Sequence, residues 1–234
     1  MTSLVQPVRI FVDPFEGTRT AVEARRWVWP LLILALCVSA SGTLYSLRWD
    51  ASPDVIRELQ ASGELAGVSE ADLTEKIQVA SRKALVGGIA KGVFLMPMLA
   101  LVLACVLWVV GWLFDRPAPF ERLMSAAALA LLPIALYHLI FTVCAAAQHS
   151  LTASRALQLV PSHLGLLLDG LSPKMQRVAS AVDFFNLWSV GLLGLGFSAA
   201  TEMSRGRALL LALALYAMFA GVLMIGLPGM GGGR

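Results

Sequence analysis

Charge is scarce in this chain. Asp, Glu, Lys and Arg together make up 14% of its 234 residues, where a soluble domain usually carries about 25%. Set against 58% hydrophobic residues and a mean hydropathy of +0.75, the shortage excludes an ordinary soluble domain, because only lipid tolerates so many apolar side chains. Cysteine is scarce as well. Cys37, Cys105 and Cys144 each fall inside an apolar run and none has CxxC spacing, so neither a zinc site nor a disulfide framework is indicated. They read as buried, inert thiols. The three histidines, His138, His149 and His163, are not at metal-ligand spacing. Catalytic signatures are missing too: no Gly-x-Ser-Gly with a His, no HExxH, no GxGD with a second Asp, and no P-loop. The expectation is therefore no enzyme, no cofactor and no metal. The net charge of +3 and pI near 9.0 do not point to nucleic acid, because the basic residues are scattered at the ends of apolar runs, where they act as topology signals.

What is present is a series of long apolar runs. The reading is an all-α integral membrane protein with five transmembrane helices, at residues 27–47, 92–114, 123–148, 184–203 and 207–227. Residues 1–26 form a cytosolic segment with a short interfacial helix ending at Arg25-Arg26-Trp27, which places Trp27 and Trp29 at headgroup level. The first run is expected to be an uncleaved span rather than a signal peptide, because the leader before it is long and holds Asp13, Glu16 and Glu23, although Val38-Ser39-Ala40 resembles a cleavage site. Residues 48–91 form an extracytosolic helical loop. One helix starts at Ser52-Pro53-Asp54 and ends at Gly63; a second starts at the capping-box sequence Ser69-Glu70-Ala71-Asp72 and could run straight into the second span. Gly88 and Gly92 form a GxxxG pair that permits close helix contact. Pro97 lies inside the second span and is expected to kink or locally loosen it; Pro133 lies inside the third. Residues 150–182 are irregular and read as an interfacial or re-entrant loop, with a short amphipathic helix from Ser172-Pro173 carrying Lys174 and Arg177. Residues 228–234 are a flexible Gly-rich tail.

Five spans put the termini on opposite sides. With the N-terminus inside, the short inner segments hold Arg9, Arg19, Arg25, Arg26, Arg116, Arg122, Arg205 and Arg207, and the longer outer segments hold the other ten of the 18 basic residues. That bias predicts a cytosolic N-terminus and an outside C-terminus.

Two sets of polar positions stand out. At 100° per residue, His138, Thr142, Ala145 and His149 share a face of the third span. In the fourth, Asp183, Asn186, Val190, Gly194, Phe197 and Thr201 fall on one side, with Trp188 near its start. Gly191, Gly194 and Ser198 allow close approach of a neighbouring helix, so this span is expected to pack centrally. Asp183 has two readings that can hold together. It caps the fourth helix, or it pairs with His149 at similar depth near the outer surface, with Gln148, Lys174 or Arg177 as other partners.

These residues carry a resemblance. Asp183-Phe184-Phe185-Asn186-Leu187-Trp188, then Leu192-Leu193-Gly194-Leu195-Gly196 and Ser204-Arg205-Gly206-Arg207-Ala208, are similar to the fourth-to-fifth span region of the Yip domain family, the Ypt/Rab-interacting integral membrane proteins. Asp13-Pro14-Phe15 and the Arg26-Trp27 to Pro30 entry resemble the N-terminus of its bacterial members; Phe120-Glu121-Arg122-Leu123 leading to Pro133, and Leu159-Val160-Pro161, also fit. The resemblance implies five spans, a cytosolic N-terminus and, for the bacterial branch, the cytoplasmic (inner) membrane. In eukaryotic members it implies helper roles in vesicle traffic. Those members carry a long cytosolic N-terminal region that does not precede the first span here, and Rab binding is not carried over.

Two functions follow as expectations. One is a non-enzymatic scaffold or accessory subunit for other membrane proteins or for membrane organisation and transport. The other is a small transporter or channel using a polar stripe between the third and fourth spans. The expected partners are the lipid bilayer and other membrane proteins, with a homo-oligomer also open.

Overall fold

The structure, a computed structural model, describes residues 10, 12–166, 168, 170, 175, 179 and 182–225. The expected helix at Ser172-Pro173 and the Gly-rich tail lie outside the described residues. Among those described the protein is helical, with isolated β-bridges in place of strands. The longer helices are α1 (Pro14–Glu23), α2 (Val28–Arg48), α3 (Ser52–Ser62), α4 (Glu70–Ala90), α5 (Met96–Leu113), α6 (Phe120–Ala130), α7 (Leu132–Ala146), α8 (Phe184–Thr201) and α9 (Arg205–Ile225). Four helical stretches are long and apolar enough to cross a membrane: Val28–Arg48, Glu70–Leu113, Phe120–Ala146 and Phe184–Thr201. The last helix, α9, has 21 residues.

Both prolines leave their mark on the backbone. Pro97 lacks the N–H that would bond Val93 and crowds that carbonyl. The helix answers one turn earlier with a π-helical segment, Lys91–Leu95, in which the Met96 N–H reaches back to the Lys91 carbonyl. This segment joins α4 to α5, so Glu70–Leu113 is one continuous helical stretch of 44 residues. Pro133 likewise cannot bond Leu129. The chain tightens at Leu131, whose N–H bonds Ala128 O at 3.3 Å while the Ile134 N–H bonds Leu131 O at 3.1 Å, and this divides the third apolar run into α6 and α7.

The chain divides into two compact units. The first comprises Met1–Ile33, Pro97–Ile134 and Ser162–Arg234. Within it, α8 packs against α6, α9 and α1. Its buried face brings Leu192, Leu193, Phe197 and Ala200 against Leu123, Ala126 and Leu129 of α6 and Ala208 of α9. Every residue of α6 from Leu123 to Ala130 is buried. Five are Ala or Ser, and such small side chains let neighbouring backbones approach closely where lipid supplies no hydrophobic drive between helices. Helix α1 is capped by Asp13, whose Oδ1 accepts the Glu16 N–H at 3.2 Å, with Pro14 at its first position. Its buried face of Gly17, Thr18, Ala21 and Val22 docks against α6 and α8, so the helix expected at the membrane surface is covered by protein on that side.

The second unit comprises Leu34–Met96 and Ala135–Pro161. Here α2 and α4 meet through glycine: a β-carbon on Gly88 would lie 2.8 Å from Gly42 Cα, and one on Gly92 would lie 2.6 Å from Ala35 O. Ser39 Oγ donates to Ile89 O across this contact at 3.3 Å. Helix α3 folds back on α4 through Ala51, Val55 and Leu59 against Leu73, Ile77 and Ala80. It ends at Gly63, which takes the left-handed φ of 74°, and α4 starts at Ser69, whose Oγ accepts the Asp72 N–H at 3.2 Å.

Candidate functional site

The start of α8 carries the densest polar arrangement among the sequence-predicted residues. Residues 162–164 run antiparallel to 182–184, with a bridge between His163 and Asp183. The Phe184 N–H bonds Ser162 O at 2.9 Å and the Leu164 N–H bonds Val182 O at 2.9 Å. This pairing fixes the chain just before the helix. Asp183, buried and extended, is the N-cap: its Oδ1 accepts the Asn186 N–H at 3.0 Å. Its Oδ2 accepts a short hydrogen bond from Ser162 Oγ. Both carboxylate oxygens are therefore satisfied inside this unit, as a nearly desolvated charge requires. Ser162 was not anticipated as a partner, because nothing in local spacing links it to a residue 21 positions on. His149 belongs to the other unit, beyond the end of α7, and is exposed. Lys174 and Arg177 lie outside the described residues.

Asn186, one turn into α8, lies beside the Tyr216 phenol of α9. Trp188 is partly buried on the core and its ring lies 5.6 Å from that of Phe184. Further along, Gly194 is in close contact with α9: a β-carbon there would lie 2.8 Å from Leu209 Cα. Gly196 does the same for α6, at 3.0 Å from Ala126 Cα. Gly191 has open space where a β-carbon would stand. Two buried hydroxyls of the same helix go to backbone carbonyls: Ser198 Oγ donates to Met203 O and Thr201 Oγ1 to Phe197 O, each at 2.7 Å. The first of these closes the turn into α9, where Glu202 adopts a left-handed φ of 56°.

The histidine stripe lies in the other unit. His138 Nδ1 is 2.6 Å from Ser41 Oγ of α2, and its ring stands edge-on to Tyr137, 5.3 Å between centroids. Thr142 Oγ1 donates to His138 O at 2.7 Å, a bond within its own helix. His138 is thus tied to a neighbouring helix, and Thr142 is turned back onto the backbone. Among the described residues no cluster of three or more His, Cys, Asp or Glu side chains is placed to hold a metal.

Long apolar helices packed through glycine and alanine define a helical integral membrane protein. The chain belongs to the Yip1 domain family, whose model matches residues 8–227. Comparison with curated proteins and with solved structures found no match.

Proposed function

We propose that this protein is a non-enzymatic, five-span membrane protein of the Yip type, a scaffold or accessory subunit for other membrane proteins or for membrane organisation and transport. The observation that carries the reading is family membership over residues 8–227, nearly the whole apolar part of the chain. The geometry supports it. Asp183 caps α8, Ser198 bonds the turn into α9, and Thr201 and Thr142 bond the backbones of their own helices. In this reading α9 is the fifth span; its 21 residues extend about 31 Å at 1.5 Å per residue, enough to cross the roughly 30 Å hydrocarbon core. The N-terminus is cytosolic, the C-terminus outside, and the membrane is a bacterial cytoplasmic one.

The test is affinity purification of the tagged full chain in mild detergent, paired with reconstitution of the purified chain in liposomes. A stoichiometric membrane-protein partner that survives washing is the expected result. Ion or solute flux from the protein alone would overturn the scaffold reading in favour of a transporter.

A further inference from the structure

The first unit holds a charged cleft of about 570 Å³ where α1, the first turn of α6 and the α8–α9 turn come together. That volume falls within the range of small-ligand sites. Three arginines line it: Arg19 from α1, Arg122 from α6 and Arg205 at the start of α9. They are not equivalent. Arg19 is already neutralised, with its Nε 2.9 Å from Glu23 Oε1. Arg122 is half-buried, and its Nε is shut away from solvent without a hydrogen-bond partner. A guanidinium nitrogen in that state is costly unless something else fills the space. Arg205 is exposed at the rim, and its guanidinium carbon sits over the Phe15 ring, 3.3 Å from Cζ to the ring centroid. Stacking on an aromatic face fixes the plane of a guanidinium and leaves its N–H edge free to fork onto an oxyanion. Glu202, exposed on the turn, and Glu23 are the acidic lining residues among the described residues. Among those residues the cleft keeps one cation in excess: three arginines against two glutamates. The first turn of α9 lines the same space, and the amide end of a long helix adds a positive field there.

We infer that this cleft binds a phosphate-bearing anion, gripped by Arg122 inside and by the Phe15-stacked Arg205 at the rim. Its lining lies at the ends of the apolar helices α6, α8 and α9, the depth at which phospholipid headgroups sit. The phosphate can come from an anionic lipid or from solution. The recognition chemistry is the same, charge-assisted and forked hydrogen bonds from arginine.

The experiment uses the delipidated full chain in mild detergent. Phosphatidylglycerol, phosphatidylcholine and inorganic phosphate are titrated separately, and bound lipid is read by native mass spectrometry and bound phosphate by calorimetry. The variants are R122Q, R205Q and F15A, with R207Q as a control of equal charge change outside the cleft. Phosphatidylglycerol should bind well ahead of phosphatidylcholine. R205Q and R122Q should each weaken it about tenfold, the worth of one charge-assisted hydrogen bond, while R207Q leaves it unchanged and melting temperatures stay at wild type. Where R122Q fails to fold, R205Q decides, since that side chain is exposed. Competition by inorganic phosphate assigns the site to any phosphate group; phosphatidylglycerol binding without competition assigns it to the lipid headgroup. An R205Q protein that binds both anions like wild type, or an R207Q protein that loses as much, overturns the inference.

Discussion

Gly194 and Leu209 face one another across the α8–α9 contact at a distance that leaves no room for a side chain: a β-carbon on Gly194 would meet the Leu209 Cα at 2.8 Å. The atom in the way is backbone, so one of the two helices must move. Gly194→Leu is expected to lower stability by about 1–3 kcal/mol, the usual cost of overpacking a close contact. Gly191→Ala, three residues earlier with open space around it, should be neutral or stabilising by up to about 1 kcal/mol through helix propensity. Thermal melts in detergent check both. A Gly194→Leu protein with wild-type stability and yield would show that α8 and α9 do not pack this way.

The second unit contains a sharper comparison between adjacent residues. A β-carbon on Gly88 would strike the backbone of Gly42, whereas one on Gly87 would meet nothing within 4 Å. Gly88→Ala should destabilise by about 1–3 kcal/mol, and Gly87→Ala should not. Equal melting temperatures for the two variants would contradict the α2–α4 contact.

Asp183 should act chiefly as a cap. Asp183→Ala removes acceptors from both the Asn186 N–H and the Ser162 hydroxyl and should cost about 1–2 kcal/mol. Ser162→Ala should cost less, because the cap bond survives. Both carboxylate oxygens have partners within the unit, so the losses from His149→Ala and Asp183→Asn are expected to add. A coupling above about 1 kcal/mol in that double-mutant cycle would instead reveal an interaction between them.

The Ser41–His138 contact at 2.6 Å joins α2 to α7. A double-mutant cycle with Ser41→Ala and His138→Ala should return about 0.5–2 kcal/mol, the range found for hydrogen bonds between membrane helices. Zero coupling would mean that the two side chains do not bond in the bilayer.

Placing α9 as a fifth span makes a topological prediction. A reporter fused after Arg234 should be active outside the cytosol, and a cysteine introduced near Arg25 should be protected from impermeant reagents applied outside. A C-terminal reporter active only in the cytosol would remove either the fifth span or the assigned orientation.

Local features were legible in the sequence because their causes are local. Gly63 ends α3 because the left-handed conformation suits a residue without a β-carbon. Ser69 and Asp183 cap helices because a short polar side chain reaches an N–H three residues on. Pro97 and Pro133 disturb their helices because neither can donate to the preceding turn. Apolar runs set the membrane class, since burial in lipid needs only a continuous length of greasy surface. Gly88 and Gly194 could be nominated as contact points from spacing alone, but their partners, Gly42 and Leu209, could not.

The sequence by itself determined that this is a helical membrane protein and the family to which it belongs. Only the tertiary structure decided which distant groups meet. Ser162 meets Asp183, Ser41 meets His138, and Arg122 and Arg205 come to one cleft with Phe15. In the linear chain those arginines look alike, each a topology marker at the end of an apolar run. Their difference comes from packing: the docked α1 sets Phe15 under Arg205, and the Arg122 Nε is buried without a partner. Such outcomes depend on distances between helices, which no periodicity along one helix encodes.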